Sequence, residues 1–209
     1  MSASPEAAAT LQSWCDAEGD QTVLDASQLD LSHVDLSGAD LALATFFDTN
    51  LTGAKLVGAD LYRAQSVDAV FDDADLTEAS LVKSDLRETS MRATNLSHAD
   101  LGSADLWKVD AQSASFRYSQ LDGATLLGVS LRGADLTDAS AQNTTFQVTL
   151  DDGTIVTGLS GAIRGPTQLF TNRALRELAG RELEWWLNDR GASVQVLTSG
   201  ERTSQGQRK

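Results

Sequence analysis

The chain has 209 residues, 41% of them hydrophobic, which is enough for a real core and argues against wholesale disorder. Its net charge of -14 is uneven: residues 1–21 carry -4, residues 22–147 carry -11 and residues 148–209 carry +1. An acidic body repels phosphate, which argues against direct nucleic-acid binding and leaves either a solubilising surface or one that meets a basic partner.

The first predicted element is a short helix. Ser4 is placed to cap it, Pro5 suits its first position, and Ala7, Ala8 and Ala9 favour its interior. Leu11, Trp14 and Cys15 would share a face, with Gly19 as the stop and Trp14 over whatever follows. Residues 1–22 therefore read as an N-terminal helical cap.

From Leu31 onward a large apolar residue recurs every fifth position. The row runs through Leu36, Leu41 and Phe46 to Phe146, 24 positions of which only Ser66 is polar. Two residues before each stands a second row of small side chains, such as Ala39, Ala54, Ala74, Ala99, Ala124 and Ala134. Asp or Asn often separates the two, as in Ala39-Asp40-Leu41. A period of five fits neither an α-helix nor a regular strand. It is met if the chain bends once per repeat, so that every fifth residue points to a common axis. Gly38, Gly53, Gly58, Gly123, Gly128 and Gly133 precede the small inward position, where a turn with positive φ would be needed. Pro5 and Pro166, the two prolines, both lie outside the repeats, as a continuous hydrogen-bonded ladder requires.

The A(D/N)LXX pattern over residues 24–147 resembles the pentapeptide-repeat family. The resemblance implies an all-β solenoid, a right-handed quadrilateral β-helix in which four pentapeptides make one coil. Residues 23–147 would then form six complete coils, about 29 Å tall at strand-like spacing, without side loops. An inward substitution such as Leu96→Ala should cost about 2–5 kcal/mol.

Beyond Phe146 the sequence reads as leaving the five-residue phase. Asp151-Asp152-Gly153 reads as a hairpin turn inside residues 148–157, Leu178–Arg190 as an amphipathic helix with Leu183, Trp186 and Leu187 inward, and Ser193–Leu197 as a short strand. Residues 148–198 are thus expected to form a small α+β module that either caps the solenoid or dimerises it, and residues 199–209 a disordered tail.

Chemistry is hard to assemble from these residues. His33 and His98, the only histidines, fall at outward positions of different coils, and no nucleophile–base pair, phosphate loop or paired Cys motif occurs. Asp72, Asp73, Asp75 and Glu78 form an acidic cluster, but equivalents of Asp75 recur throughout without one. No catalytic residue, cofactor or metal is expected. The N-terminus lacks a secretory pattern, and the single Cys15 suits a reducing compartment, so a cytoplasmic location without membrane attachment is expected.

Folding the register at 20 residues per coil gives surface columns. Asp40, Asp60 and Asp100 share one, Asp35, Asp75 and Asp135 a second, and Asp85 and Asp105 a third with Asp25. Phe47, Val67, Trp107 and Leu127 line up as an outward apolar stripe. Well-understood members of the resembled family mimic duplex DNA and bind DNA gyrase or topoisomerase IV, protecting it from inhibitors. The resemblance implies such a protein partner, met through the acidic columns or the stripe. The alternatives are a generic interaction scaffold or a self-resistance or immunity protein with an unrelated partner, and a homodimer stays open.

Overall fold

The computed structural model describes residues 5–16, 23–171 and 174–198. Helix α1 (Pro5–Asp16) comes first. The repeat region follows, then six strands and a second helix. These are β1 (Thr125–Ser130), β2 (Thr144–Asp151), β3 (Ser160–Arg164), β4 (Thr167–Thr171), β5 (Ala174–Leu178), α2 (Gly180–Asn188) and β6 (Ser193–Val196).

In the repeats positions divisible by five bridge the residue 20 further on, in parallel, except at Ser130, which pairs with Thr149. Asp25 pairs with Thr45, Asp40 with Asp60, Asp60 with Ser80, and so on to Ser140 with Ser160. Four pentapeptides therefore make one coil, and coils stack directly. The large inward row is buried from Leu31 on, with Leu76, Leu96 and Leu121 fully enclosed, as are Phe46, Phe71, Phe116 and Phe146, and the small row is buried from Ala44 on.

The backbone of one repeat explains the sequence pattern. In residues 59–63, Ala59 donates to the Leu56 carbonyl (3.0 Å) and closes the turn. Asp60 donates back to Ala39 (3.0 Å), while Leu61 and Arg63 donate forward to Ser80 (2.7 Å) and Val82 (3.0 Å). The remaining donor, the Tyr62 N–H, is taken by Oδ1 of Asp60 at 2.9 Å. All five N–H groups are used, and one of them needs a side-chain acceptor two residues earlier. That is the physical reason for Asp or Asn in the motif, and Asn50 and Asn95 serve their turns in the same way.

The position before the small inward residue has positive φ throughout. Glycine sits there in part, and Arg63, Lys83, Glu78 and His98 adopt it too. At Gly53 an added Cβ would stand 2.5 Å from the His33 ring, so the exposed imidazole would have to swing aside. Small inward positions filled by Thr add hydrogen bonds between coils: Thr49, Thr94 and Thr144 donate to carbonyls 23 residues earlier at 2.7–2.8 Å. Ser66 is buried in the large-residue row, and its hydroxyl has no partner among the described residues.

At the first coil, Leu29, Val34 and Ala39 are only half-buried, since no coil of the described residues lies below them. Helix α1 covers part of this end with Ala7 buried and Leu11 and Trp14 packed on the core. Cys15 corrects the expected helix face, because it is exposed. At a 100° step Cys15 follows Leu11 by only about 40°, but it stands about 80° from buried Ala7 and about 100° from Trp14, which leaves it at the edge of the packed face. The expected cap Ser4 and stop Gly19 lie outside the described residues.

The region after Phe146 departs from the expected hairpin. Residues 144–151 run as one strand with Thr144, Phe146, Val148 and Leu150 buried in alternation, so the period changes from five to two. Strand β2 pairs in parallel with β1, and the register slips by one between Leu127 and Val129. Asp151–Thr154 is a turn, but it leads into another coil edge: Ile155 bridges Asp135, and Thr154, Val156 and Leu159 are buried. The arms flanking the turn pair with the coil below, which supplies a longer ladder than a two-stranded ribbon would.

Strands β3 and β4 both continue the stack in parallel on β2, β5 returns antiparallel along β4, and β6 lies parallel on β3. The sheet order is β5-β4-β2-β3-β6, with β1 on β2. Helix α2 buries Leu183, Trp186 and Leu187 as its sequence spacing predicts, and Gly191 with φ 86° follows it. Among the described residues, no helix is long and apolar enough to cross a membrane.

Candidate interaction surface

The bridges bring the expected acidic residues into vertical register. Asp40, Asp60, Ser80, Asp100 and Gln120 form one column, and Asp35, Lys55, Asp75, Asn95, Ser115 and Asp135 a second. A third links Asp25, Thr45, Gln65, Asp85 and Asp105. Hydrogen bonds distinguish their members. The carboxylates of Asp40, Asp60 and Asp100 accept the N–H groups of Ala42 (3.2 Å), Tyr62 (2.9 Å) and Gly102 (2.8 Å). None of the three is in an ion pair among the described residues, so their charge stays uncompensated at contact range.

Elsewhere the charge is partly cancelled. Arg87 grips Asp85 through two nitrogens at 2.7 Å, and Arg117 holds Asp135 at 2.8 Å. The Arg87 hydrogen bonds keep Asp85 below the ordinary carboxylate range despite its partial burial. Burial works to raise Asp135, but the Thr137 hydroxyl and Arg117 outweigh it and its pKa falls. Asp25 is lowered by hydrogen bonds from Thr45 and Ser27, and Asp35 by its contacts with Ser37 and, more weakly, by Lys55. Asp75 accepts from Thr77 at 3.1 Å through its backbone and 2.5 Å through its hydroxyl, and Asp105 from Trp107 at 3.1 Å.

The outward stripe also aligns. Carbonyls of Phe47, Val67, Trp107 and Leu127 accept from Gln28, Asp48, Glu88 and Lys108 of the preceding coil. Phe47 (36%) and Leu127 (37%) keep over a third of their surface exposed, while Val67 and Trp107 are half-buried. One cation interrupts the stripe and another lies beside it. Arg87 stands in the column between Val67 and Trp107, and the Lys108 ammonium lies 3.9 Å from the Trp107 ring centre.

His33 and His98 are far apart in register, and His98 stacks on Tyr118 with ring centres 4.9 Å apart. In the Asp72–Glu78 cluster, Asp72 Oδ1 already accepts from the Ser90 hydroxyl (2.6 Å) and the Arg92 N–H (2.9 Å). No group of three or more His, Cys, Asp or Glu among the described residues could hold a metal ion. Cation–aromatic contacts are what a reading of acidic columns missed. The Arg63 guanidinium lies 5.3 Å and the Lys83 ammonium 5.9 Å from the centre of the Tyr62 ring. Their signal was present as the 20-residue separation of Arg63 and Lys83, and of His98 and Tyr118.

Stacked coils that end in turns sealed by their own Asp side chains define a β-solenoid whose outer residues form ordered columns. The chain belongs to the pentapeptide repeat family: the family model of pentapeptide repeats matches residues 27–64, 69–107 and 114–147 in eight copies, more than half of the chain. No curated protein matches it. Among solved structures it is similar to the pentapeptide repeat protein Rfr23 of the cyanobacterium Cyanothece 51142, at 22% identity and TM-score 0.41 over 62% of this chain and 89% of that one. It is also similar to HetL, a pentapeptide repeat protein involved in heterocyst differentiation regulation in Nostoc sp. strain PCC 7120, at 20% identity and TM-score 0.33 over 90% of both chains. A third is QnrB1, a plasmid-mediated fluoroquinolone resistance protein, at 12% identity and TM-score 0.45 over 85% of this chain and 95% of that one.

Proposed function

We propose that this protein is a non-enzymatic interaction solenoid that presents its acidic columns to a basic protein surface, as a mimic of duplex DNA. The observation that carries the reading is the column of Asp40, Asp60 and Asp100, in vertical register and outside any ion pair among the described residues. A protein surface built to hold DNA offers complementary charge, and DNA gyrase or topoisomerase IV is the partner class we place first. We read the coils as a right-handed, four-sided helix in the cytoplasm, with Asp35, Asp75 and Asp105 adding to the acidic surface. Asp25, Asp85 and Asp135 contribute less, because their neighbours already use their oxygens.

B-DNA carries one negative charge about every 1.7 Å, far denser than these columns. Mimicry therefore rests on shape together with charge, and the stripe of Phe47, Val67, Trp107 and Leu127 supplies apolar contact beside it. Binding to purified gyrase, followed across a salt series, tests the reading. The complex should weaken as the Debye length shortens from about 10 Å at 0.1 M to 3 Å at 1 M, and it should exclude DNA.

A second reading is an interaction scaffold that self-associates. It is favoured by β5, whose residues Ala174 to Glu177 are exposed at the sheet edge, and by Leu175 and Trp185, 62% and 66% exposed. An edge strand with apolar neighbours invites pairing. Sedimentation of the full chain separates the two readings from each other.

A further inference from the structure

One patch of the acidic body has the opposite character. Arg63 and Lys83 occupy the same outward position on successive coils, since Arg63 donates to the Val82 carbonyl at 3.0 Å and both have positive φ. Their charged groups both approach a single ring, that of Tyr62, to 5.3 and 5.9 Å of its centre. Neither is in an ion pair among the described residues, whereas Arg87, Arg92, Lys108, Arg117 and Arg132 all are. Asp85, the acid nearest Lys83 in sequence, is held by Arg87 through both oxygens, while Asp60 accepts the Tyr62 N–H and forms no ion pair with either cation among the described residues. Leu43, 48% exposed, and half-buried Val82 extend the same columns as an apolar margin.

We propose that Tyr62, Arg63, Lys83, Leu43 and Val82 form a docking site for a short acidic peptide segment carrying one apolar side chain. Two cations side by side repel each other, and a carboxylate placed between them relieves that repulsion. Arg63 supplies a planar fork for a carboxylate and Lys83 a point charge. Tyr62, Leu43 and Val82 take the apolar side chain. Charge selects this occupant over nucleic acid. A strand bearing phosphate at every step would overrun the patch onto Asp40 and Asp60, while one or two carboxylates fit within it. The site adjoins the Asp40–Asp60 column but binds the opposite charge, so its test is read independently of topoisomerase binding.

The probe is a fluorescein-labelled peptide of glutamates with one central phenylalanine, titrated with the full chain at low salt and followed by anisotropy. Saturable binding is expected, weakened at least about tenfold by Arg63→Glu with Lys83→Glu, and several-fold by Tyr62→Ala. Glutamate already occupies this backbone position at Glu78 and Glu88, so the reversal suits the fold. Arg63→Gln with Lys83→Gln is the second variant, and urea midpoints verify that both fold. No binding up to about 1 mM, equal affinity in the folded variants, or tighter binding of single-stranded DNA of the same length would each overturn the proposal.

Discussion

If the acidic columns arise from turn closure, acceptor geometry and charge can be separated by substitution. Asp40, Asp60 and Asp100 each accept one N–H from their own turn, at 3.2, 2.9 and 2.8 Å. Alanine removes the acceptor and leaves that N–H to water or to nothing. Asparagine retains an oxygen at the same place, as Asn50 and Asn95 do for Thr52 and Ser97. A hydrogen bond of this kind contributes about 0.5–1.5 kcal/mol. Exposure at Asp40 and Asp60 puts them at the low end. The triple Ala variant should therefore lose about 1.5–3 kcal/mol. Asp40 and Asp60 are bridged neighbours and will not add perfectly. The triple Asn variant should stay within about 0.5 kcal/mol of the parent, helped by relief of repulsion within the column. Urea unfolding at neutral pH and fixed ionic strength measures both. If triple Asn is destabilised as much as triple Ala, the turn-closing account of the motif is wrong.

Ser66→Ala removes a buried hydroxyl that has no partner among the described residues, and should raise stability by about 1 kcal/mol; a loss of that size by urea denaturation would show that the hydroxyl is satisfied. Asp25, Asp35, Asp85 and Asp135 all have lowered pKa values in the fold, so their contribution is present above the unfolded value of about 3.9 and is lost as pH falls through the folded values. Urea midpoints should be flat above about pH 5 and drop below about pH 4, and a midpoint that rises on acidification would contradict this. Trp107→Ser with Leu127→Ser should weaken partner binding several-fold while changing the melting temperature little, because Leu127 is over a third exposed; a large fall in melting temperature would mean that the stripe is held within the fold instead.

The repeat region was legible because its inward rows recur without interruption. Every Leu and Phe predicted to face the axis is buried, and the glycines at Gly38, Gly53, Gly58, Gly123, Gly128 and Gly133 have the expected positive φ. The acidic columns could be drawn from the 20-residue register alone, although the turn-closing role of each Asp needs the backbone donor to be seen. Local reading failed at Asp151-Asp152-Gly153. A turn signal fixes the bend and says nothing of the partner, which here lies about 20 residues back in the coil below. The alternation of Thr144, Phe146, Val148 and Leu150 was in the sequence, but it overlaps the end of the five-residue row at Phe146. Pairing of Arg87 with Asp85 and of Arg117 with Asp135 depends on side-chain reach across neighbouring positions, which column position alone leaves open.

The triple Asn variant also gives the most direct test of the proposed recognition surface, since it keeps the turns and removes three charges. Gyrase supercoiling is measured with parent and variant proteins in parallel, alongside displacement of labelled DNA from the enzyme. The account predicts that the parent inhibits supercoiling or alters drug-induced cleavage and competes with DNA, and that the folded variant does so at least about tenfold less well. A parent protein that leaves supercoiling and cleavage unchanged and fails to displace DNA, or a variant as effective as the parent, would contradict it.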